Sequence, residues 1–184
     1  AKLADSNKDN VGVVESAALE AAVKKLDEHQ NDMERLTALA KALGALATND
    51  ENRDAIAKGG GLQAILQALN GEDIDAEFLE QAIPLLNQFA MSDKYKDEIA
   101  RLGGIRALIM IMLKFIDHKV VVEKCLSALT NLAFNSVPNM KEIVECEGIQ
   151  AVQKVMAKHH GEPSVLNLAM VLLSNLMFDN DENR

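Results

Sequence analysis

Leu43 recurs as Leu86, Leu129 and Leu173, at intervals of 43, 43 and 44 residues. Leu46, Phe89, Leu132 and Leu176 keep the same offsets, as do Leu36, Leu79, Val122 and Leu166. A second series runs Leu62, Ile65 and Leu66, then Ile105, Leu108 and Ile109, then Ile149, Val152 and Gln153, and a third is Ile56, Ile99 and Ile143. Interleaved series with one shared period mark a repeat array, in which each unit buries its apolar face only against its neighbours. The single extra residue falls between Leu132 and Ile143, around Pro138, where a loop tolerates insertion.

Within one period the apolar spacing predicts three helical pieces, so the fold class is all-α. In residues 49–91, "NRDAIAK" is a short helix that Asn52 is placed to cap and Gly59–Gly61 to stop. "LQAILQAL" is the second, with Leu62, Ile65, Leu66 and Leu69 at helical spacing. "AEFLEQAIPLLNQFAM" is the long third, which Pro84 should kink without ending. The pattern returns as "KDEIARLGG", "IRALIMIMLKF" and "VVEKCLSALTNLAF", and as "MKEIVECEG", "IQAVQKVMAKH" and "VLNLAMVLLSNLMF". Extended backwards, the register places Val13 in a first helix, Leu19, Ala22, Val23 and Leu26 in a second, and "MERLTALAKALGALA" as a third. The expected repeats are 1–48, 49–91, 92–134 and 135–178, with a further one starting at 179–184, all in a single domain. The chain opens on Ala1 and stops after "DNDENR", which suggests a piece of a longer protein.

The core must be aliphatic, because 48% of residues are hydrophobic while aromatics make up 3% and Trp is absent. Cys125 aligns with Leu39, Ala82 and Ala169, a core position where it acts as a small hydrophobe. Neither Cys125 nor Cys146 has metal or redox spacing, which fits reduced thiols and a cytoplasmic location. No His has a metal-ligand motif, and His159–His160, beside Gly161 and Pro163, reads as a solvated loop. A net charge of −9 makes nucleic acid a poor partner. No apolar run approaches the ~18 residues of a membrane span. No phosphate-binding loop or nucleophile elbow is present, so no enzyme activity, cofactor or metal is expected.

Two motifs resemble the armadillo repeat family: the Gly-Gly opening of the second helix (Gly60–Gly61–Leu62, Gly103–Gly104–Ile105 and the shorter Gly148–Ile149) and the "A-L-x-N-L-A" of the third helix at Ala128–Ala133. A HEAT array has two helices per repeat and lacks the short first helix and its glycine junction. The resemblance covers residues 11–184. It implies a right-handed superhelical solenoid of about four three-helix repeats, with the third helices lining a concave groove.

Asn131 lies one residue off the core stripe, in register with Ala45, Gln88 and Asn175. With Thr37, Glu80, Glu123 and Asn167 two turns earlier, Lys41, Pro84, Ser127 and Val171 one turn earlier, and Thr48, Met91, Phe134 and Phe178 after it, the position defines a second stripe. In the family's peptide-binding members an Asn here lies on the groove floor and bonds the backbone of an extended peptide. The resemblance thus implies a peptide groove of Gln88, Asn131 and Asn175 with Glu80, Glu123, Ser127, Asn167, Phe134 and Phe178, the two phenylalanines serving either as exposed groove anchors or as packing under their loops. Ala45 departs from the pattern, so the groove should weaken at the N-terminal end. The tryptophan of nuclear-localisation receptors is replaced by Pro84, Ser127 and Val171, which argues against that role. Alternatively, Asn131 and Asn175 tie each third helix to its neighbour.

Residues 49–91 carry eight acids and two bases, whereas 92–134 carry five and seven. Glu80 and Glu123 on the stripe suit a Lys or Arg of a ligand, although such charges also serve as a solvated face. The leading function is a non-catalytic scaffold binding an extended, basic peptide segment. Two alternatives are an assembly factor or chaperone module for a cytoskeletal, motor or GTPase client, and an axonemal or cytoskeletal structural element. The last complete helix, with Leu172, Leu173 and Leu176, lacks a polar capping repeat and should support weak self-association through that end.

Overall fold

The computed structural model describes residues 33–177, where ten helices follow one another without a strand. A long helix, α1 (Met33–Leu46), precedes three triplets. The first is α2 (Asp50–Lys58), α3 (Gly61–Leu69) and α4 (Ala76–Ala90). The second is α5 (Asp93–Arg101), α6 (Gly104–Lys114) and α7 (Lys119–Ala133). The third is α8 (Val137–Glu145), α9 (Gly148–Lys158) and α10 (Pro163–Met177). Each class of helix starts at intervals of 43 and then 44 residues: Asp50, Asp93, Val137; Gly61, Gly104, Gly148; Ala76, Lys119, Pro163. The extra residue is absorbed between α7 and α8, where Asn135 takes a left-handed φ of 54°, a conformation that Asn tolerates better than most residues. The expected helices around Val13 and Leu19–Leu26 lie outside the described residues.

The long helices α1, α4, α7 and α10 pack successively on one another, forming the spine of the array. Leu36, Leu43, Leu79, Leu86, Phe89, Val122, Leu129, Leu132, Leu172 and Leu176 are fully buried along it. Leu46, Leu166 and Leu173 of the same series, with Leu39 at the Cys125 position, are only half-buried. Cys125 is fully buried, and that burial pushes its thiol pKa well above the ordinary value. The α4 helix continues through Pro84 to Ala90, because its apolar face stays anchored on both sides of the ring.

The two glycines of each junction do different things. Gly60 and Gly103 adopt left-handed φ values of 86° and 79°, which a residue without Cβ accepts at no steric cost. The next glycine lets α6 and α9 approach the preceding short helix. A Cβ on Gly104 would lie 2.5 Å from Ile99 Cγ2, and one on Gly148 would lie 2.5 Å from Ile143 Cγ2. In the third triplet Glu147 takes the left-handed position at φ 60°, so strain sits where the sequence has one glycine rather than two.

Three expectations are corrected. The cap of α2 is Asn49, whose side chain accepts from the Asn52 N–H at 2.8 Å, while Asn52 Nδ2 donates back to the Leu46 carbonyl at 2.6 Å. His159 is buried rather than solvated, donating from Nε2 to the Ile116 carbonyl at 2.6 Å. The loop after α9 stacks on the loop after α6, one repeat earlier, and the adjacent Lys158–Asp117 ion pair reinforces the contact. On α10, Leu172 and Leu176 face inward, and the exposed apolar residues are Met170, Val171 and Met177.

Candidate functional site

The partly exposed stripe of the long helices carries a ladder of amides. Gln88 Nε2 donates to the Gly44 carbonyl at 3.1 Å, Asn131 Nδ2 to Asn87 Oδ1 at 2.8 Å, and Asn175 Nδ2 to the Thr130 carbonyl at 3.4 Å. Gly44, Asn87 and Thr130 are themselves equivalent positions, 43 residues apart. Each amide therefore makes the same reach to the preceding long helix. Two of the three acceptors are last-turn carbonyls: that of Gly44 lies among those with no intrahelical donor, while that of Thr130 also accepts from the Phe134 N–H at 3.0 Å. Each tie uses one N–H of a side chain with two such donors and an acceptor oxygen. Asn131 and Asn175 are half-buried, so part of that capacity stays within reach of solvent, whereas Gln88 Oε1 is buried without a partner. Asn87 extends the network by donating from Nδ2 to Ser127 Oγ at 3.3 Å.

The two carboxylates flank this ladder, both half-buried. Glu80 Oε1 lies 3.8 Å from His118 Nε2. Glu123 Oε1 accepts from Ser164 Oγ at 2.5 Å and lies 4.0 Å from Lys119 Nζ. Lys119 has a closer partner in Glu162 at 2.5 Å, which leaves Glu123 only loosely neutralised. Between α4 and α7 a hollow of about 310 Å³ is lined by Pro84, Asn87, Val120, Glu123, Lys124 and Ser127. Asn167 is exposed on α10, and Phe134 is 55% exposed at the end of α7. Phe178 lies outside the described residues.

Sequence reasoning missed Asn87, the acceptor for Asn131, although its 43-residue spacing from Gly44 and Thr130 marks the position. It also missed Lys96, which is only 5% exposed. Lys96 Nζ donates to Asp93 Oδ1 at 2.7 Å and to the Phe134 carbonyl at 2.8 Å, and stands 5.6 Å from the Phe134 ring centroid. A lysine in a short helix gives no periodic signal of such burial. Among the described residues no cluster of His, Cys, Asp or Glu could hold a metal ion, and no helix is long and apolar enough to cross a membrane.

Triplets of short, medium and long helices, joined by a tight glycine turn and stacked through their long helices, define an armadillo repeat solenoid. Residues 85–184, more than half of the chain, match the family model of the GAC ARM domain, and the chain belongs to that family. No curated protein matches it. Among solved structures, one engineered protein is 26% identical with a TM-score of 0.76, over 89% of this chain and 64% of its own. A second is 24% identical with a TM-score of 0.80, over 93% and 40%. The chain thus spans less than two thirds of the length of these two proteins. A designed armadillo repeat protein in complex with the peptide (KR)4 superposes with a TM-score of 0.78 at 19% identity, over 93% of this chain and 69% of its own.

Proposed function

We propose that this chain is a non-catalytic protein-interaction scaffold that receives an extended, basic peptide segment along the groove of α4, α7 and α10. The amide ladder carries this reading. Gln88, Asn131 and Asn175 are held in fixed orientations by their ties; Gln88 Oε1 is buried, so Asn131 and Asn175 are the amides that offer both donor and acceptor to the backbone of a strand-like ligand. Glu80 and Glu123 beside it favour a cation on that ligand. The (KR)4 complex of a designed protein with the same fold supports such a partner. The same reading treats the chain as one domain of repeats bounded near residues 48, 91, 134 and 178, working in the cytoplasm.

The test is calorimetric titration with a (Lys-Arg)4 peptide and with a (Glu-Asp)4 control at two salt concentrations. Binding of the basic peptide alone, weakening as salt rises, is the expected result. Equal binding of both peptides, or of neither, would sink the proposal.

A further inference from the structure

Where the extra residue bends the chain after α7, the groove opens into a second hollow of about 390 Å³ between the ends of α7 and α10. Ala133, Phe134, Val137 and Met140 form its apolar wall, and Ser174 and Asn175 face them. Phe134 is 55% and Val137 69% exposed, with the nearly buried Met140 as the floor. Adjacent large apolar side chains left in water are informative in a way that scattered ones are not.

This wall is also held in place. Lys96 is the buried cation of the preceding repeat, and burying a charge is costly unless it is paired. Its ammonium is committed to Asp93, to the Phe134 carbonyl and to the Phe134 ring. On the other side Asn139 Nδ2 donates to the Leu132 carbonyl at 3.0 Å, and the Ser136 hydroxyl caps α8. An aromatic ring fixed from beneath and open above is preorganised for contact, because the entropy of ordering it is lost before a ligand arrives.

We propose that this hollow is an apolar subsite of the groove, taking one large aliphatic side chain (Leu, Ile or Met) of the same extended ligand whose cation faces Glu80 and Glu123. The inference rests on the peptide reading above. Charge complementarity singles out that ligand, because Glu80 and Glu123 on the stripe favour its cation, whereas the hollow just past the end of α7 is lined by no charged residue. The ligand crosses the long helices from the hollow between α4 and α7 to the one between α7 and α10, so its aliphatic residue follows its basic residue within a few positions.

The test uses the full chain and labelled peptides read by fluorescence anisotropy: a basic peptide, the same peptide with one Leu placed three to seven positions from the cations, and a neutral Leu peptide. Methyl spectra of 13C-Met-labelled protein report on Met140 in parallel. Leu at one of these spacings should tighten binding roughly tenfold and move the Met140 methyl. Val137→Asp should abolish that gain, while Lys96→Met should reduce the gain by releasing Phe134. If the basic peptide binds and Leu adds nothing at any spacing, the apolar subsite falls and the peptide groove stands. If the neutral Leu peptide alone binds and moves Met140, the subsite stands and the basic half of the reading falls. If no peptide binds, or the gain survives Val137→Asp, the subsite proposal is overturned.

Discussion

Asn131 donates from Nδ2 to Asn87 Oδ1 at 2.8 Å, joining α7 to α4 one repeat earlier. The asparagine one residue off the core stripe is thus an inter-repeat tie. Its remaining N–H and its oxygen are what a ligand would meet. Asn131→Ala with Asn175→Ala removes two such ties, and at ~0.5–1.5 kcal/mol per hydrogen bond stability should fall by about 1–3 kcal/mol. If the same amides hold a peptide, binding of (Lys-Arg)4 should weaken by about 2–4 kcal/mol as well. Melts and titrations on the double variant separate the two, since a lowered melting temperature with unchanged affinity restricts these amides to the tie.

The glycine junctions predict opposite effects at two sites. Gly104→Ala forces a methyl against Ile99 and Leu66, and overpacking of this kind costs about 1–3 kcal/mol. Glu147→Gly relieves a left-handed non-glycine residue, and should raise stability by up to about 1 kcal/mol after the greater entropy of the unfolded chain is subtracted. Urea denaturation of the two variants against the parent checks both signs.

Leu129 is fully buried at the centre of the spine. Leu129→Ala should cost about 2–5 kcal/mol, the transfer and cavity terms together. A loss below about 1 kcal/mol in equilibrium unfolding would contradict the packing described for α7.

Acid should loosen the contacts between repeats. Lys94, bonded to Asp54 together with Tyr95, holds the Asp54 pKa below the ordinary value, and Lys158 and Lys119 do the same for Asp117 and Glu162. Carboxylates with lowered native pKa values bind fewer protons folded than unfolded, so their contribution is complete above the ordinary values of 3.8 and 4.5. It is lost as pH falls through the lower native values. Stability should therefore decline below about pH 4.5, and Asp54→Asn should make that decline shallower. Because these pairs are exposed, added salt should shrink the difference. Denaturant midpoints between pH 7 and pH 2.5 supply the measurement.

The free face of α10 predicts weak association. Ile83 and Leu126 are buried beneath the following long helix, whereas Met170 at the equivalent position is 60% exposed. With Leu166, Leu173 and Met177 it forms a stripe at helical spacing. Met170→Glu should abolish any concentration-dependent rise in mass seen by light scattering. A rise that persists in this variant would place the contact elsewhere.

The architecture was legible because it is periodic. Three interleaved apolar series reported the helix classes, and the glycine pairs reported the turns between them. What escaped was the chemistry of the pairing between repeats, whose reach is periodic but whose acceptor is not. Asn131 finds a side chain where Gln88 and Asn175 find carbonyls. The burial of Lys96 depends on a carbonyl 38 residues away, and that of His159 on one 43 residues back. The sequence-based cap at Asn52 failed by one turn, because two asparagines three residues apart could each serve and only the path of the loop from Leu46 chose between them.

Gly44, Asn87 and Thr130, each facing the amide of the next repeat, have a further consequence. The extra residue near Asn135 is confined to a loop, so the rungs stay in phase and look alike to anything lying across them. An extended chain displaced by one repeat, from Asn175 to Asn131, meets another tied asparagine amide, which makes sliding between these two alignments nearly neutral as far as the backbone is concerned. Two alignments of equal energy add about 0.4 kcal/mol of statistical favour to binding. They also leave the choice of alignment to the few positions that break the symmetry, Glu80 and Glu123 against Thr37 and Asn167.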